Sequence, residues 1–328
     1  MTEDHDGEGL TYAEAGVDIA ESEAATAALL GSLGNVVETE YAGLLEVDDR
    51  YLALATDGVG TKLLVAEAMD TYDTIGIDCI AMNVNDLVAT GVDPVAFVDY
   101  LAIDTPESTM TEAIGEGLAV GAERAGVSLL GGETAVLPEV ITGFDLAGAC
   151  VGLADQDAIL PGTAADGDAL VGVPSNGIHS NGLTLARKAI TEAAGYDYTD
   201  PFPPATEQSI GEVLLEPTAI YTDLLGPMRE YGARAAAHVT GGGWQNLTRM
   251  GEYRYIIDDP APAQPVFEFV QACGDVTDEE MHRTFNMGTG FVIAVAPSNA
   301  DALAAAVDGS VIGHVEPGSG VAVRGIEL

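Results

Sequence analysis

A short apolar run, Tyr51-Leu52-Ala53-Leu54, passes directly into Ala55-Thr56-Asp57-Gly58-Val59-Gly60-Thr61-Lys62. A strand that delivers an acid, two glycines, a hydroxyl and a lysine at its end is built to meet a phosphorylated ligand and its metal. The glycines let the backbone approach oxygen atoms closely, and the carboxylate is a hard oxygen donor suited to Mg²⁺. Lys62 adds a point charge for phosphate, and it is one of two lysines in 328 residues. The spacing is not that of a P-loop, which needs four residues between its glycines and a lysine right after the second.

Length predicts two domains, each able to bury its own core. A hydrophobic fraction of 47 % with few aromatics fits a packed α/β protein. No apolar run reaches the roughly 18 residues of a membrane span. The stretch Met1-Thr2-Glu3-Asp4-His5-Asp6 lacks a signal peptide's charged-then-apolar plan, so a cytoplasmic location is expected. Cys79, Cys150 and Cys273 stand far apart in apolar surroundings, which suits buried thiols in a reducing compartment. The balance of 53 acidic to 11 basic residues, net −42, would repel nucleic acid and anionic membranes. Patterned apolar content argues against disorder. The remaining reading is a folded, halophile-like surface, whose self-repulsion is muted in molar salt where the Debye length is about 3 Å.

Residues 1–45 read as a polar tail followed by a helix from Ser22 to Gly34. Strands are expected at Arg50–Thr56, Val95–Leu101, Val127–Leu130 and Phe144–Leu153. Helices fit Asp73–Ala89 and a segment starting at Thr105-Pro106-Glu107, read as a cap, a proline and an early acid. Gln156 to Asp168 carries turn residues without periodicity, so the domains are set at 1–157 and 165–328. The second unit opens with strand Ala169–Val173 and helix Leu183–Ala194. Further strands are predicted at Ala235–Val239, Tyr253–Ile257, Gly290–Ala296, Ser310–Val315 and Val321–Ile326. Helices fall at about 208–231, 244–251, 265–272, 277–285 and 299–307. Three basic residues precede residue 165 and eight follow it, so the phosphate end of an organic substrate belongs with the second unit.

Several constellations carry chemistry. In Ile77-Asp78-Cys79-Ile80-Ala81-Met82-Asn83-Val84-Asn85-Asp86-Leu87, Asp78, Met82 and Asn85 share a helix face. Asp86 lies about 80° round from Asp78. Either these acids face a cleft or they lie on a solvated helix face. Leu130-Gly131-Gly132-Glu133-Thr134 repeats the opening device, or is a plain acidic turn. Asp57, Asp86 and Glu133 at element ends suit Mg²⁺ bridging a triphosphate. In the second unit, Ser175-Asn176-Gly177-Ile178-His179-Ser180-Asn181-Gly182 precedes a helix and His238-Val239-Thr240-Gly241-Gly242-Gly243 follows a strand. Both are loops able to offer N–H groups to an anion, or ordinary turns. His179 and His238 are the histidines in such loops, suited to proton transfer or to a structural role.

The order of these motifs is similar to one family. Leu10-Thr11-Tyr12 with Ala15–Ile19, then Thr56–Lys62, Gly76 through Leu87, Gly131–Ala135, Gly177–Gly182, Ala237–Gly243 and Arg283-Thr284-Phe285-Asn286 resemble the phosphoribosylformylglycinamidine cyclo-ligases, or AIR synthetases, of purine biosynthesis. The resemblance spans nearly the whole chain. It implies an α/β (α+β) two-domain fold, an N-terminal sheet that pairs in a homodimer, and ATP-dependent closure of formylglycinamidine ribonucleotide to aminoimidazole ribonucleotide. ATP and Mg²⁺ would then meet Asp57, Gly58, Gly60, Thr61, Lys62, Asn85, Asp86, Gly132, Glu133 and Thr134. The ribonucleotide would meet Ser175, Gly177, His179, Ser180, Asn181, Gly182, Thr240, Gly241 and Gly242. His179, His238 and Lys62 would serve the chemistry. Two departures stand out: Ala13 and Glu14 follow the early tyrosine where many relatives carry a basic residue, and Glu40-Tyr41-Ala42-Gly43-Leu44 replaces a Gly-Gly-Phe-rich loop. The alternatives are another ATP-using superfamily member (selenophosphate synthetase, thiamine-monophosphate kinase or the hydrogenase-maturation type) or a non-catalytic nucleotide binder. The selenophosphate branch is disfavoured because the first cysteine, Cys79, falls inside a predicted helix.

Overall fold

The computed structural model describes residues 9–17, 24, 25, 28, 37, 38, 41–156 and 158–328. Apart from Ala24, Ala25 and Ala28, the helix expected over Ser22–Gly34 lies outside the described residues. Two sheets organise the chain. The first has six strands: β1 (Val37–Glu38), β2 (Gly43–Val47), β3 (Arg50–Gly58), β4 (Asp93–Ile103), β5 (Ser128–Val136) and β6 (Phe144–Asp155). They run in the order β1-β2-β3-β6-β4-β5. All pairs are antiparallel except β4 with β5, which are joined through helix Ser108–Ala125.

That helix and helix Ile75–Ala89 cover one face of the sheet. They approach closely because Gly76 and Gly117 meet at the crossing. A Cβ on Gly76 would sit 2.2 Å from the Leu118 nitrogen, so no larger residue fits there. The other face is open. Leu45, Leu54, Val98 and Tyr100 alternate with inward residues and are 44–61 % exposed.

The second sheet has seven strands: β7 (Ala169–Pro174), β8 (Ala235–His238), β9 (Arg254–Ile257), β10 (Thr289–Val295), β11 (Ser310–Glu316), β12 (Gly320–Val323) and β13 (Ile326–Glu327). Their order is β13-β12-β9-β11-β7-β10-β8. β7, β8 and β10 are near-continuous apolar runs with both faces covered, as strands buried on two sides require. A single apolar core runs from Ile75, Ile80 and Val84 on the first unit to Leu183, Ile210 and Phe267 on the second.

Several sequence expectations are corrected. The helix over 208–231 is broken into Ile210–Leu214, a 3₁₀ turn Thr222–Leu224 and Leu225–Glu230. Pro217 denies the helix an N–H there, and the backbone groups around it are taken by polar side chains of helix Ile75–Ala89. Asp78 accepts from the Thr218 N–H at 2.7 Å and from its hydroxyl at 2.6 Å. Asn85 accepts from the Tyr221 N–H at 2.9 Å and donates to the Ala219 carbonyl at 2.8 Å. These tertiary bonds replace helical ones at Thr218, Ala219 and Tyr221.

Strand β5 continues through Gly131-Gly132-Glu133-Thr134 after a bulge at Leu130, so this segment is neither a turn nor a strand end. Helix Ser108–Ala125 is preceded by Glu107 rather than capped by Thr105. The expected helix Leu183–Ala194 is α-helical to Arg187 and then widens to a π-helix over Lys188–Ala193. Residues 9–17, expected to be polar tail, dock on the second unit. The Leu10 N–H bonds the Gly274 carbonyl, the Tyr12 N–H bonds Glu280, and Ala15 is buried. Cys79 and Cys150 are buried free thiols, while Cys273 is half-buried.

Candidate active site

The site is assembled where the end of β3, helix Ile75–Ala89 and the end of β8 meet. Asp57 is held by its backbone: Asn83 accepts from the Asp57 N–H at 2.9 Å and donates to the Asp57 carbonyl at 3.1 Å. Its own carboxylate accepts the Gly58 N–H at 2.7 Å. Burial, reinforced by the negative charge of Asp86, pushes the Asp57 carboxyl up to about 6. A carboxylate whose proton affinity is raised by a second carboxylate, at the edge of a cleft, makes a ready cation site.

Asp86 meets the second unit directly. Its carboxylate lies 3.1 Å from His238 Nδ1, and His238 is completely buried. The imidazole tautomer follows from its other neighbour. The oxygen of Asn85 is committed to the Tyr221 N–H, so its amide nitrogen faces His238 Nε2 at 3.4 Å. Nε2 is therefore the acceptor, and Nδ1 carries the proton donated to Asp86.

His179 is defined in the same way. Asn176 donates to the Glu216 carboxylate at 3.1 Å and to the Pro217 carbonyl at 2.9 Å, which turns its oxygen toward His179 Nε2 at 2.8 Å. Nε2 then bears the hydrogen, and Nδ1 is left without a partner among the described residues. Burial, with the Lys62 charge nearby, holds His179 well below the ordinary histidine value, so its ring is neutral. Its backbone is in the left-handed region at φ 66°, which places a bulky residue at a costly position inside a turn.

The loop that carries His179 is fixed by Asn286. Asn286 donates to the Gly177 carbonyl at 2.9 Å, and its oxygen accepts from the Ser175 hydroxyl at 2.8 Å and the Gly288 N–H at 2.9 Å. Asn181 from the same loop donates to Met82 Sδ at 3.6 Å and lies against Gly241. Thr61 and Thr184 join the two units through their hydroxyls at 2.9 Å. The turn Thr240-Gly241-Gly242-Gly243 is tied down by Asn246, which donates to the Gly243 carbonyl at 2.8 Å. Gly243 has φ 53°, and a Cβ there would strike the His282 carbonyl at 2.2 Å.

Five expected site residues are placed elsewhere. Lys62 is fully buried, its ammonium bonded to Asp78 at 2.8 Å and to the Glu216 carbonyl at 2.6 Å. It has no face toward a phosphate, because its charge neutralises Asp78 of the same unit while its third bond reaches the Glu216 carbonyl of the second. Asn85, expected at the nucleotide, is buried with its amide committed to Ala219, Tyr221 and His238. Glu133 does not join Asp57 and Asp86. In register, Asp57 faces Gly148, Gly148 faces Asp99 and Asp99 faces Gly132, so Glu133 is three strands away, about 14 Å. Glu133 also pairs with Tyr100 on the open face, and Gly132 and Thr134 share that exposed edge strand. Accordingly, no three acids or histidines converge as a metal cluster among the described residues.

Asn83, Asn176 and Arg249 were not singled out from the sequence, while Asn286 stood there within a family motif and Tyr41 within the departing 40–44 loop, neither with a role. For the first, the signal was there: Asn83, Asn85 and Asp86 interrupt an otherwise apolar, buried helix. Tyr41 donates to the His238 carbonyl at 3.5 Å, and the Arg249 guanidinium stacks 4.8 Å over the Tyr41 ring. Both line a cavity of about 640 Å³ that runs from Tyr51 to Thr90, one turn beyond Asp86.

Comparison with known proteins agrees with this architecture. The AIR synthase related protein N-terminal domain matches residues 39–154 and the AIR synthase related protein C-terminal domain matches residues 165–326. A phosphoribosylformylglycinamidine cyclo-ligase from Methanosarcina mazei is 46 % identical over all of both chains. One from Pyrococcus furiosus is 44 % identical over 88 % of each. Among solved structures, AaThiL complexed with AMPPCP and TMP superposes with a TM-score of 0.67 over 95 % of this chain and 96 % of that one. At 17 % identity that likeness shows the fold alone.

Proposed function

The chain belongs to the AIR synthase related family, and from that premise we propose how its residues divide the family's cyclo-ligase reaction. This enzyme closes formylglycinamidine ribonucleotide to aminoimidazole ribonucleotide with ATP, releasing ADP and phosphate, in purine biosynthesis. The observation that carries the assignment of roles is the Asp86–His238 pair where the two units join, with Asp57 near enough for Asp86 to raise its proton affinity.

The chemistry divides into two steps. The formyl oxygen takes the terminal phosphoryl group of ATP, breaking its bond to ADP. An internal amidine nitrogen then attacks the formyl carbon, the bond to the phosphorylated oxygen breaks, and phosphate leaves. An amide oxygen is a poor leaving group and phosphate a good one, so the enzyme's task is positioning and charge neutralisation. Asp57 and Asp86 are the residues to hold Mg²⁺, supported by the raised proton affinity of Asp57 beside a second carboxylate. When bound, Mg²⁺ would neutralise charge on the nucleotide's phosphates. His238 keeps Asp86 in place by donating to it. His179, neutral and with a bare Nδ1, is the acceptor for the proton lost by the attacking nitrogen. Ser180, Asn181 and the Thr240–Gly242 turn would face the ribonucleotide.

Residues 1–157 would serve the nucleotide and residues 165–328 the ribonucleotide. The open face of the first sheet, with Leu54 and Tyr100 exposed, supports pairing with a second copy. The charge of −42 supports a protein most stable in concentrated salt. No helix among the described residues is long and apolar enough to cross a membrane.

The test is ADP release in concentrated KCl with Mg²⁺, with and without formylglycinamidine ribonucleotide, while the imidazole product is assayed. Equal amounts of ADP and product, formed only with substrate present, are expected. ADP without the imidazole would refute the ring closure.

A further inference from the structure

Burial of Lys62 leaves a question of charge. A triphosphate arriving at two carboxylates needs a cation besides the metal, and the lysine that the sequence offers is spent on Asp78. Among the other basic residues, Arg50, Arg229, Arg234, Arg254, Arg283 and Arg324 each pair with an acid. Arg187 bonds the Tyr198 hydroxyl, next to Lys188. Arg124 borders a different, polar cavity beside Asn176 and Asp223. Like Arg124, Arg187 and Lys188, Arg249 has no carboxylate partner among the described residues, but it lines the cavity that reaches Thr90 at the end of the helix of Asp86 and Ala236 on the strand of His238.

We infer that Arg249, stacked on Tyr41, is the residue that grips the phosphate chain of the nucleotide, which would enter through this cavity; the inference rests on the cyclo-ligase reading. The contact holds the guanidinium carbon 4.8 Å from the centre of the ring. Tyr41 is itself anchored on the His238 carbonyl, so Arg249, His238 and Asp86 form one connected arrangement. A planar guanidinium held in place loses little freedom on binding and offers a fork of donors to phosphate oxygens. In a chain of net charge −42, an arginine left without a carboxylate partner beside two acids is a placement to be explained, and an incoming polyanion explains it. The cavity, about 640 Å³, is of the size that holds a nucleoside, with Leu44, Tyr51 and Leu160 as apolar walls for a base.

The experiment is calorimetric binding of Mg²⁺ with a non-hydrolysable ATP analogue, with adenosine as the phosphate-free probe, in concentrated KCl. Arg249→Gln should weaken the analogue about 10- to 100-fold, the loss expected of one charge-assisted contact, while adenosine binds as to the wild type. Arg249→Lys should fall between. Emission from Trp244, the single tryptophan and a buried neighbour on the same 3₁₀ turn, reports whether the variants keep the local fold. Unchanged analogue affinity in a folded Arg249→Gln would overturn the inference. So would equal losses for analogue and adenosine, since a phosphate contact cannot affect adenosine. Binding is read without turnover. A wild type that binds the analogue through Arg249 yet makes no imidazole product would therefore uphold the inference and refute the ring closure alone.

Discussion

Replacing Asp57 by Asn should stabilise this protein at neutral pH while removing its metal-dependent nucleotide binding. The Asp57 carboxyl is raised from the ordinary 3.8 to about 6 by burial and by Asp86. At about 1.4 kcal/mol per unit, keeping it ionised in the folded state costs about 3 kcal/mol. The sign follows from proton counting. Between pH 3.8 and about 6 the folded state binds more protons than the unfolded chain, so this group's contribution falls as pH rises and reaches its full cost above about 6. Asparagine is isosteric, its oxygen can still accept the Gly58 N–H, and the Asn83 clamp acts on the backbone only. The assay is urea unfolding in concentrated KCl with chelator present, followed by Trp244 emission and circular dichroism at pH 4 and pH 8. The variant should gain about 2–3 kcal/mol over the wild type at pH 8 and little at pH 4. Added Mg²⁺ should stabilise the wild type and leave the variant unmoved. A variant destabilised equally at both pH values would refute the reasoning, because Asp57 would then be an ordinary structural acid.

Lys62→Met should cost about 3–5 kcal/mol in the same unfolding assay, since Asp78 would be left charged and buried, and Lys62→Met combined with Asp78→Asn, whose amide oxygen still accepts from Thr218, should recover part of that loss. Asn286→Ala frees the Ser175–Ile178 turn without touching substrate; kcat/KM for the ribonucleotide should fall about tenfold or more while the KM for ATP holds. Leu54→Asp places a charge on the open face of the first sheet, where sedimentation velocity should show a dimer in the wild type and a monomer in the variant.

The sequence alone determined a good deal. Apolar runs at β7 and β10 announced covered strands, glycines and prolines marked most boundaries, and the order of motifs identified the family. Helix Ile75–Ala89 was legible in more detail: the spacing of Asp78, Met82 and Asn85 put them on one face, and all three do meet the second unit. What spacing cannot express is which partner a polar group finds. Lys62 and Asn85 carry the residue types of ligand contacts, yet fold into bolts between the units, because Asp78 and the irregular backbone around Pro217 reach them first. Glu133 sits in a sequence resembling that of Asp57, but strand order and the two-residue alternation send it three strands away on the opposite face. Arg249 and Tyr41, 208 residues apart in a sequence with no motif to join them, become neighbours through the docking of the two sheets. Local pattern reflects backbone geometry and burial, which depend on near neighbours. A site depends on distances between atoms far apart in the chain, and those exist only after the units have packed.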